Sequence, residues 1–399
     1  MVWDLFCRVI DNFGDIGVCW RLAAELGRRG QQVRLWTDET AALTWMAPGA
    51  LQGQAPGVQV IAWTDPAPDL RPGEVVVEAF GCAPPDGFVA RMSAAQPAPV
   101  WINLEYLSAE PYVERSHGLA SPQFAGPGAG LQKWFFYPGF TAGTGGLLQC
   151  QPGLPGADSG ADSVTSAVTG SGVEPTPADQ AARTQARAWA AARGWAAAPS
   201  ERAITVFCYD NPALPALLQA LAPQATLLRL PPGPAQARLR ALQHAAALPA
   251  DLRLIDLPYL PQADFDLLLA AADLNLVRGE DSFVRAQCAA SAPFVWQIYP
   301  QHDGAHGPKL EAFLDLYLAG QPPVLAGAVR AVFRAFNGLG PLPAALPDWP
   351  GWCRLHADWR RRLQSPALPP RDLCSELMHF AAIKQTSPMP TAIQPRMPS

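Results

Sequence analysis

Lysine is almost missing from this chain: only Lys133, Lys309 and Lys384 occur, the rest of the 29 basic residues being arginine. Charge of either sign is sparse, at 16% of residues, where about a quarter is usual for soluble domains. Thirty-four acidic residues outnumber the basic ones and give a net charge of -5, which excludes a chain that coats nucleic acid through its whole surface. The eight cysteines stand singly, without a C-x-x-C pair or a histidine cluster at zinc-ligand spacing. A disulfide framework and a zinc ribbon are therefore excluded, and reduced cytosolic thiols are expected. No apolar run approaches bilayer length, and the first residues lack the basic and apolar segments of a signal peptide, so a soluble cytoplasmic protein without a membrane partner is expected. The excess of arginine and alanine reads as compositional bias.

What is present is material for burial. Nearly half of the 399 residues are hydrophobic, with 13 Trp and 16 Phe, enough for two cores and too much for a disordered coil. Residues 2–10 read as a strand, 11–17 as a loop, 18–28 as a helix and 31–36 as the next strand, a βαβ opening. Further strands are expected at 58–63, 74–79 and 100–104. Alternation restarts at 204–208 and runs through strands at 226–230, 252–257, 274–277 and 294–298, with helices at 213–221, 235–246, 264–272 and 278–290. Strand–helix alternation in two blocks predicts an α/β protein of two Rossmann-like domains facing each other across a cleft. The boundaries expected are 1–151 for the first domain, 152–177 for a flexible Gly/Ser-rich insertion and 178–368 for the second domain, with 178–193 as a bridging helix. A C-terminal helix at 369–384, packed back on the first domain, and a disordered tail at 385–399 complete the chain.

Ligands of doubly wound sheets sit beyond the carboxyl ends of the strands, and two segments have that address. In the first, Asp15 alone reads as a helix cap. Its companions carry more: Asp11 and Asn12 precede it, Phe13 is an aromatic placed where solvent is expected, and Gly14 allows a close backbone approach. The loop is not G-x-G-x-x-G and no Walker lysine follows it, which counts against dinucleotide binding and nucleotide hydrolysis. In the second, Arg278, Gly279, Glu280, Asp281 and Ser282 open a helix. An acidic first turn suits the helix dipole without any function. An arginine before that turn and a serine within it also supply the cation and neutral donor that a diphosphate needs. Phe207, Tyr209 and Tyr259 lie at strand ends, where they serve as core or stack on a base, and Gln262 offers a donor and an acceptor to a base edge. His302 and His306 have a helical interval, but Gly304 and neighbouring prolines argue against a helix, and no third metal ligand is near.

These segments carry a resemblance. Residues 11–23 (Asp-Asn-Phe-Gly-Asp-Ile-Gly-Val-Cys-Trp-Arg-Leu-Ala), 103–110 (Asn-Leu-Glu-Tyr-Leu-Ser-Ala-Glu), 207–209 (Phe-Cys-Tyr), 278–287 (Arg-Gly-Glu-Asp-Ser-Phe-Val-Arg-Ala-Gln) and 294–301 (Phe-Val-Trp-Gln-Ile-Tyr-Pro-Gln) closely resemble the EarP family. Its members are bacterial protein-arginine rhamnosyltransferases that modify translation elongation factor P. The resemblance implies a GT-B enzyme that moves L-rhamnose from TDP-β-L-rhamnose to an arginine side chain, with inversion and with neither a metal nor a cofactor. It implies Asp15 as general base, Asp11 as its essential neighbour and Glu280 as a further essential carboxylate. Asn12, Phe13 and Gly14 would line the sugar. Tyr209, Gln262, Arg278, Gly279, Asp281 and Ser282 would hold the nucleotide diphosphate, with Phe207 and Tyr259 near the thymine. Tyr259 departs from the family's Pro-Phe-x-Pro-Gln element: it keeps a stacking face and adds a hydroxyl. The rival readings are a nucleotide-sugar glycosyltransferase with a glycan or lipid acceptor and a non-catalytic protein-binding module on the same fold. The first lacks a convincing membrane-facing helix, and the second is opposed by the intact acidic loop.

Overall fold

The computed structural model describes residues 1–10, 13–148, 177–288, 292–300, 304–364 and 372–386. The first block folds as β1 (Val2–Cys7), α1 (Gly14–Arg28), β2 (Gln32–Thr37), α2 (Leu43–Met46), β3 (Val58–Ala62), β4 (Val75–Ala79), α3 (Asp86–Ala94), β5 (Val100–Leu104), α4 (Tyr112–Ser116), β6 (Ala120–Pro122) and β7 (Gln132–Phe136). The strands form one sheet in the order β3-β2-β1-β4-β5-β7-β6, parallel except for the β6–β7 pair. Its central strands are buried on both faces, as the run Val75, Val76, Val77 requires of a parallel sheet covered by helices. On α1, Ile16, Cys19, Ala23 and Leu26 recur at helical spacing and are buried against the sheet. Gly27 is needed there, because a Cβ at that position meets the carbonyl oxygen of Pro56 at 2.4 Å.

The second block comprises α5 (Pro177–Ala192), β8 (Arg202–Val206), α6 (Leu214–Leu221), β9 (Thr226–Leu230), α7 (Pro234–His244), β10 (Leu252–Asp256), α8 (Gln262–Ala270), β11 (Leu274–Arg278), α9 (Asp281–Cys288), β12 (Phe294–Gln297), α10 (His306–Tyr317), α11 (Pro323–Phe336) and α12 (Trp349–Gln364). Its five strands are all parallel, in the order β10-β9-β8-β11-β12. The last helix, α13 (Leu373–Thr386), returns to the first domain, where Leu373, Cys374, Leu377 and Ala381 join the core of β1 and α1. An ion pair from Arg29 to Asp372 and a backbone bond from Leu373 N–H to Leu147 O at 2.9 Å fix its start.

Several expectations change in detail. The first strand stops at Cys7 rather than residue 10, because the Val9 and Ile10 amides leave the ladder to donate to Asp38 and Asp15 at 3.0 and 2.9 Å. Helix α1 starts at Gly14, four residues before the expected start. Residues 178–193 do not bridge the two sheets; the alanine stripe Ala182, Ala186, Ala190 lays α5 on α8, with Ala270 and Ala271 as its floor. A helix does follow Gly304: α10 starts at His306, whereas His302 lies outside the described residues. Helix α13 runs two residues past 384, and the insertion up to residue 176, residues 369–371 and the tail from 387 lie outside the described residues.

The two domains meet along α1. Arg21 donates from both terminal nitrogens to the Asp266 carboxylate on α8 at 2.9 Å and pairs through Nε with Asp281 on α9 at 2.8 Å. Arg285 grips the same Asp266 carboxylate at 3.0 and 2.9 Å. Burial alone would raise the Asp266 pKa, yet the two guanidiniums hold its carboxyl below the ordinary range. Removing one partner of such a buried cluster leaves uncompensated charge, so Asp266→Ala is expected to cost about 3–5 kcal/mol. Urea unfolding of the two proteins measures this, and a loss below about 1 kcal/mol would show that the cluster is dispensable.

Candidate active site at the domain cleft

Strand order places the site. In the first sheet the strand order reverses between β1 and β4, and in the second between β8 and β11. Loops diverge at such switch points and leave a crevice at the carboxyl ends. The loop after β1 leads into Phe13, Gly14 and Asp15, the loop after β8 carries Phe207 and Tyr209, and the turn after β11 carries Gly279 and Glu280. Phe13, Gly14, Phe207, Tyr209, Tyr259, Gln262 and residues 278–282 line one cleft of about 780 Å³. Asp11 and Asn12 lie outside the described residues.

Arg278 is the floor of this cleft. Its guanidinium lies 4.5 Å from the ring centre of Phe207 and 4.9 Å from that of Tyr209. The residue is 9% exposed, and its Nη1 is buried without a hydrogen-bond partner. A desolvated cation resting on two aromatic faces, with an unsatisfied donor, is a preformed anion receptor. The turn that holds it is locked locally: Ser282 Oγ accepts from the Arg278 N–H at 3.1 Å and donates back to its carbonyl at 2.5 Å. Gly279 adopts φ of +57°, a conformation that favours glycine, and its carbonyl accepts from Trp296 Nε1 at 2.6 Å. Phe207 also packs edge-on against Phe265, at 5.2 Å between centroids.

Carboxylates stand beside this turn: Glu280 lines the same cleft, and Asp15 acts on it electrostatically. Asp15 is 4% exposed and sits in the first turn of α1. Its Oδ2 accepts from the Ile10 N–H at 2.9 Å, and the Tyr106 hydroxyl donates to Oδ1 at 3.4 Å. One residue further, the Leu107 N–H donates to Glu280 Oε2 at 2.9 Å. The loop after β5 thus touches the acidic groups of both domains through adjacent residues. Burial pushes the Glu280 carboxyl up to about 7, against the pull of Lys309 and of the Leu107 amide and with the help of Asp15. Lys309 is itself shifted down by burial, opposed by Glu280 and Glu110.

Two expected donor contacts are used differently. The Gln262 amide donates to the Gly17 carbonyl at 2.8 Å, across the domain boundary. Asp281 borders the cleft but is ion-paired to Arg21, which offsets its charge. Sequence reasoning also missed residues that the fold brings in. Trp45 on α2 lies 5.3 Å from Phe13 and 4.6 Å from Tyr259 between ring centres, closing the cleft mouth with aromatics from both domains. Tyr106 stacks on Phe80 at 4.3 Å, which aims its hydroxyl at Asp15. Lys309, one of three lysines, was legible as a rarity, and Arg21 stands within the first motif; neither has a local partner that points to a role.

The Glu280 shift has a measurable sign. The side chain ionises near 4.5 when unfolded and near 7 when folded, so between those values the folded state binds more protons and stability falls as pH rises. Glu280→Gln is expected to flatten that part of the profile of Tm against pH. An unchanged slope would mean that this carboxyl titrates normally.

Comparison with known proteins gives this geometry a family. A family model described as Elongation-Factor P (EF-P) rhamnosyltransferase EarP matches residues 3–382. A protein-arginine rhamnosyltransferase of Pseudomonas aeruginosa is 40% identical over 398 residues, covering 95% of this chain and 98% of that protein. One from Neisseria meningitidis is 33% identical over 395 residues, covering 93% and 95%. A solved structure concerning EarP-mediated arginine glycosylation of translation elongation factor EF-P is 28% identical, with a TM-score of 0.59 and coverage of 97% of this chain and 99% of that one. A glycosyltransferase from Rickettsia africae shares the fold alone, at 9% identity and a TM-score of 0.51 over 97% of this chain and 99% of that one. Among the described residues no helix is long and apolar enough to cross a membrane. With two Rossmann-like domains in the GT-B arrangement and a match that runs almost end to end, the chain belongs to the EarP family of EF-P rhamnosyltransferases.

Proposed function

We propose that this protein transfers L-rhamnose from TDP-β-L-rhamnose to one arginine side chain of translation elongation factor P, in the cytoplasm, with inversion and without a metal or cofactor. The observation that carries the donor side is Arg278: a buried guanidinium with an unpaired Nη1, set on two aromatic rings. A departing diphosphate meets that cation together with the first free N–H groups of α9. Gly279 and the Ser282-locked turn keep this receptor in place before the donor arrives. Tyr259 and Trp45 at the mouth offer faces to the thymine, and Gln262 exchanges its bond to Gly17 for the base edge as the donor enters. Phe13 and Gly14, with Asn12 next to them, line the sugar.

On the acceptor side the difficulty is the guanidinium, which keeps its proton and delocalises its charge at neutral pH. Asp15, with Asp11 four residues earlier, grips it through directed hydrogen bonds and orients one nitrogen towards the anomeric carbon. As the C–N bond forms, the bond from the anomeric carbon to the phosphate oxygen breaks and its electron pair leaves with TDP. The proton of the attacking nitrogen passes to Asp15. The positive charge that develops at the sugar is met by the cleft carboxylates, Glu280 among them.

Asp15→Asn is expected to lower turnover by about 10²- to 10⁴-fold while TDP still binds. Arg278→Gln is expected to weaken TDP binding by about 1.5–3 kcal/mol, the worth of a charged hydrogen bond. Intact-mass spectrometry of elongation factor P, for the added deoxyhexose, and calorimetry with TDP read the two effects separately. An Asp15→Asn protein that modifies the factor at the wild-type rate removes Asp15 from the role of base.

A further inference from the structure

The second domain has another pocket, at the end opposite the cleft. It opens where β8 begins at Arg202 and where Asp273 leads into β11, the amino ends of those strands. Arg187, Arg202, Arg229, Asp273, Trp349 and the 196–201 loop enclose about 910 Å³ of open space. The charges around it do not balance. Asp273 is shared by Arg183 and by Arg187 at 2.9 Å and also accepts from the Ala203 N–H at 2.8 Å. Glu201 is held by Arg253 at 2.7 Å. Five guanidiniums thus face two carboxylates, and Arg202 and Arg229 form no ion pair among the described residues.

The two unpaired cations are held ready in different ways. Arg202 lies on the face of Trp349, 3.6 Å from the ring centre. Stacking occupies the face of a guanidinium and leaves its N–H edge for a ligand. Arg229 is 1% exposed; its Nε donates to the Trp195 carbonyl at 2.9 Å, and its Nη1 is buried with no partner. Burial lowers its pKa to about 10, so it is still a cation at neutral pH. A buried guanidinium nitrogen without an acceptor is costly unless something fills the place. Arg278 in the donor cleft shows the same signature, a buried Nη1 awaiting an anion.

We propose that this pocket binds a phosphate dianion, free or as the head of a phosphomonoester, at a site separate from the donor cleft. Two negative charges offset the two unpaired guanidiniums, and the phosphate oxygens accept both the Arg229 Nη1 donor and the Arg202 edge. The space beyond them accommodates an organic group on the phosphate.

The test is calorimetric titration of inorganic phosphate into the full chain, with potassium chloride matching the ionic strength, in the absence and in the presence of TDP. With saturating TDP filling the Arg278 receptor, one saturable phosphate site is expected to remain. Arg202→Gln is expected to weaken it at least tenfold, with Tm near that of the parent because Arg202 is a half-buried rim residue. Glycerol 3-phosphate in place of phosphate then identifies the source: tighter binding marks an ester as the ligand, and equal binding marks free phosphate. No saturable heat with either compound, no site remaining in saturating TDP, or equal affinity in the parent and in Arg202→Gln would overturn the proposal.

Discussion

The Asp266 carboxylate, clamped by Arg21 and Arg285, is the contact on which the rest of the structure turns. It joins the first helix of one domain to two helices of the other. Because Asp15 stands six residues before Arg21 on that helix, and Asp281 is the other partner of Arg21, the clamp sets the distance between the acceptor-side carboxylate and the donor-side turn. Three charges in a dry seam tolerate little displacement, since the attraction that offsets their desolvation decays quickly as the groups separate. The same seam permits close contact at Gly17, where a Cβ would lie 3.4 Å from the Asp281 carboxylate.

Around that seam the site is built from groups whose own needs are met before any substrate arrives. Ser282 closes the turn under Arg278, Trp296 ties down Gly279, and Ile10 and Tyr106 orient Asp15. The exceptions are informative. Arg278 keeps an unsatisfied nitrogen, and Glu280 keeps a proton to about pH 7 because burial disfavours its charge. Fixed donors and dipoles aimed at where charge will develop need no rearrangement during the reaction. The Leu107 amide and the Tyr106 hydroxyl, on one loop, couple the two acidic groups, so a change in that loop reaches both.

Much of this was legible in the residues. The strand–helix alternation in two blocks and the glycines and acids after the strands announce parallel sheets with ligand loops. Arg278 is legible as a diphosphate contact because its place at a strand end is, whereas its seat on Phe207 and Tyr209 is not. Asp15, in contrast, reads locally as a helix cap, whereas its bonds to Ile10 and Tyr106 give it partners outside that helix. Trp45 and Lys309 carry no local pattern that separates them from core and surface residues.

Periodicity and contiguous motifs are enough for the two α/β blocks, the addresses of the acidic loop and the Arg278 turn, and the kinship that names their chemistry. It takes the folded chain to bring Arg21 to Asp266 across 245 positions, to set Gln262 and Asp281 in the domain seam, and to gather Arg202 and Arg229 around one unbalanced pocket. The reason is physical: a charged side chain has its meaning in its partner and its dielectric surroundings, and both are supplied by residues far away along the chain.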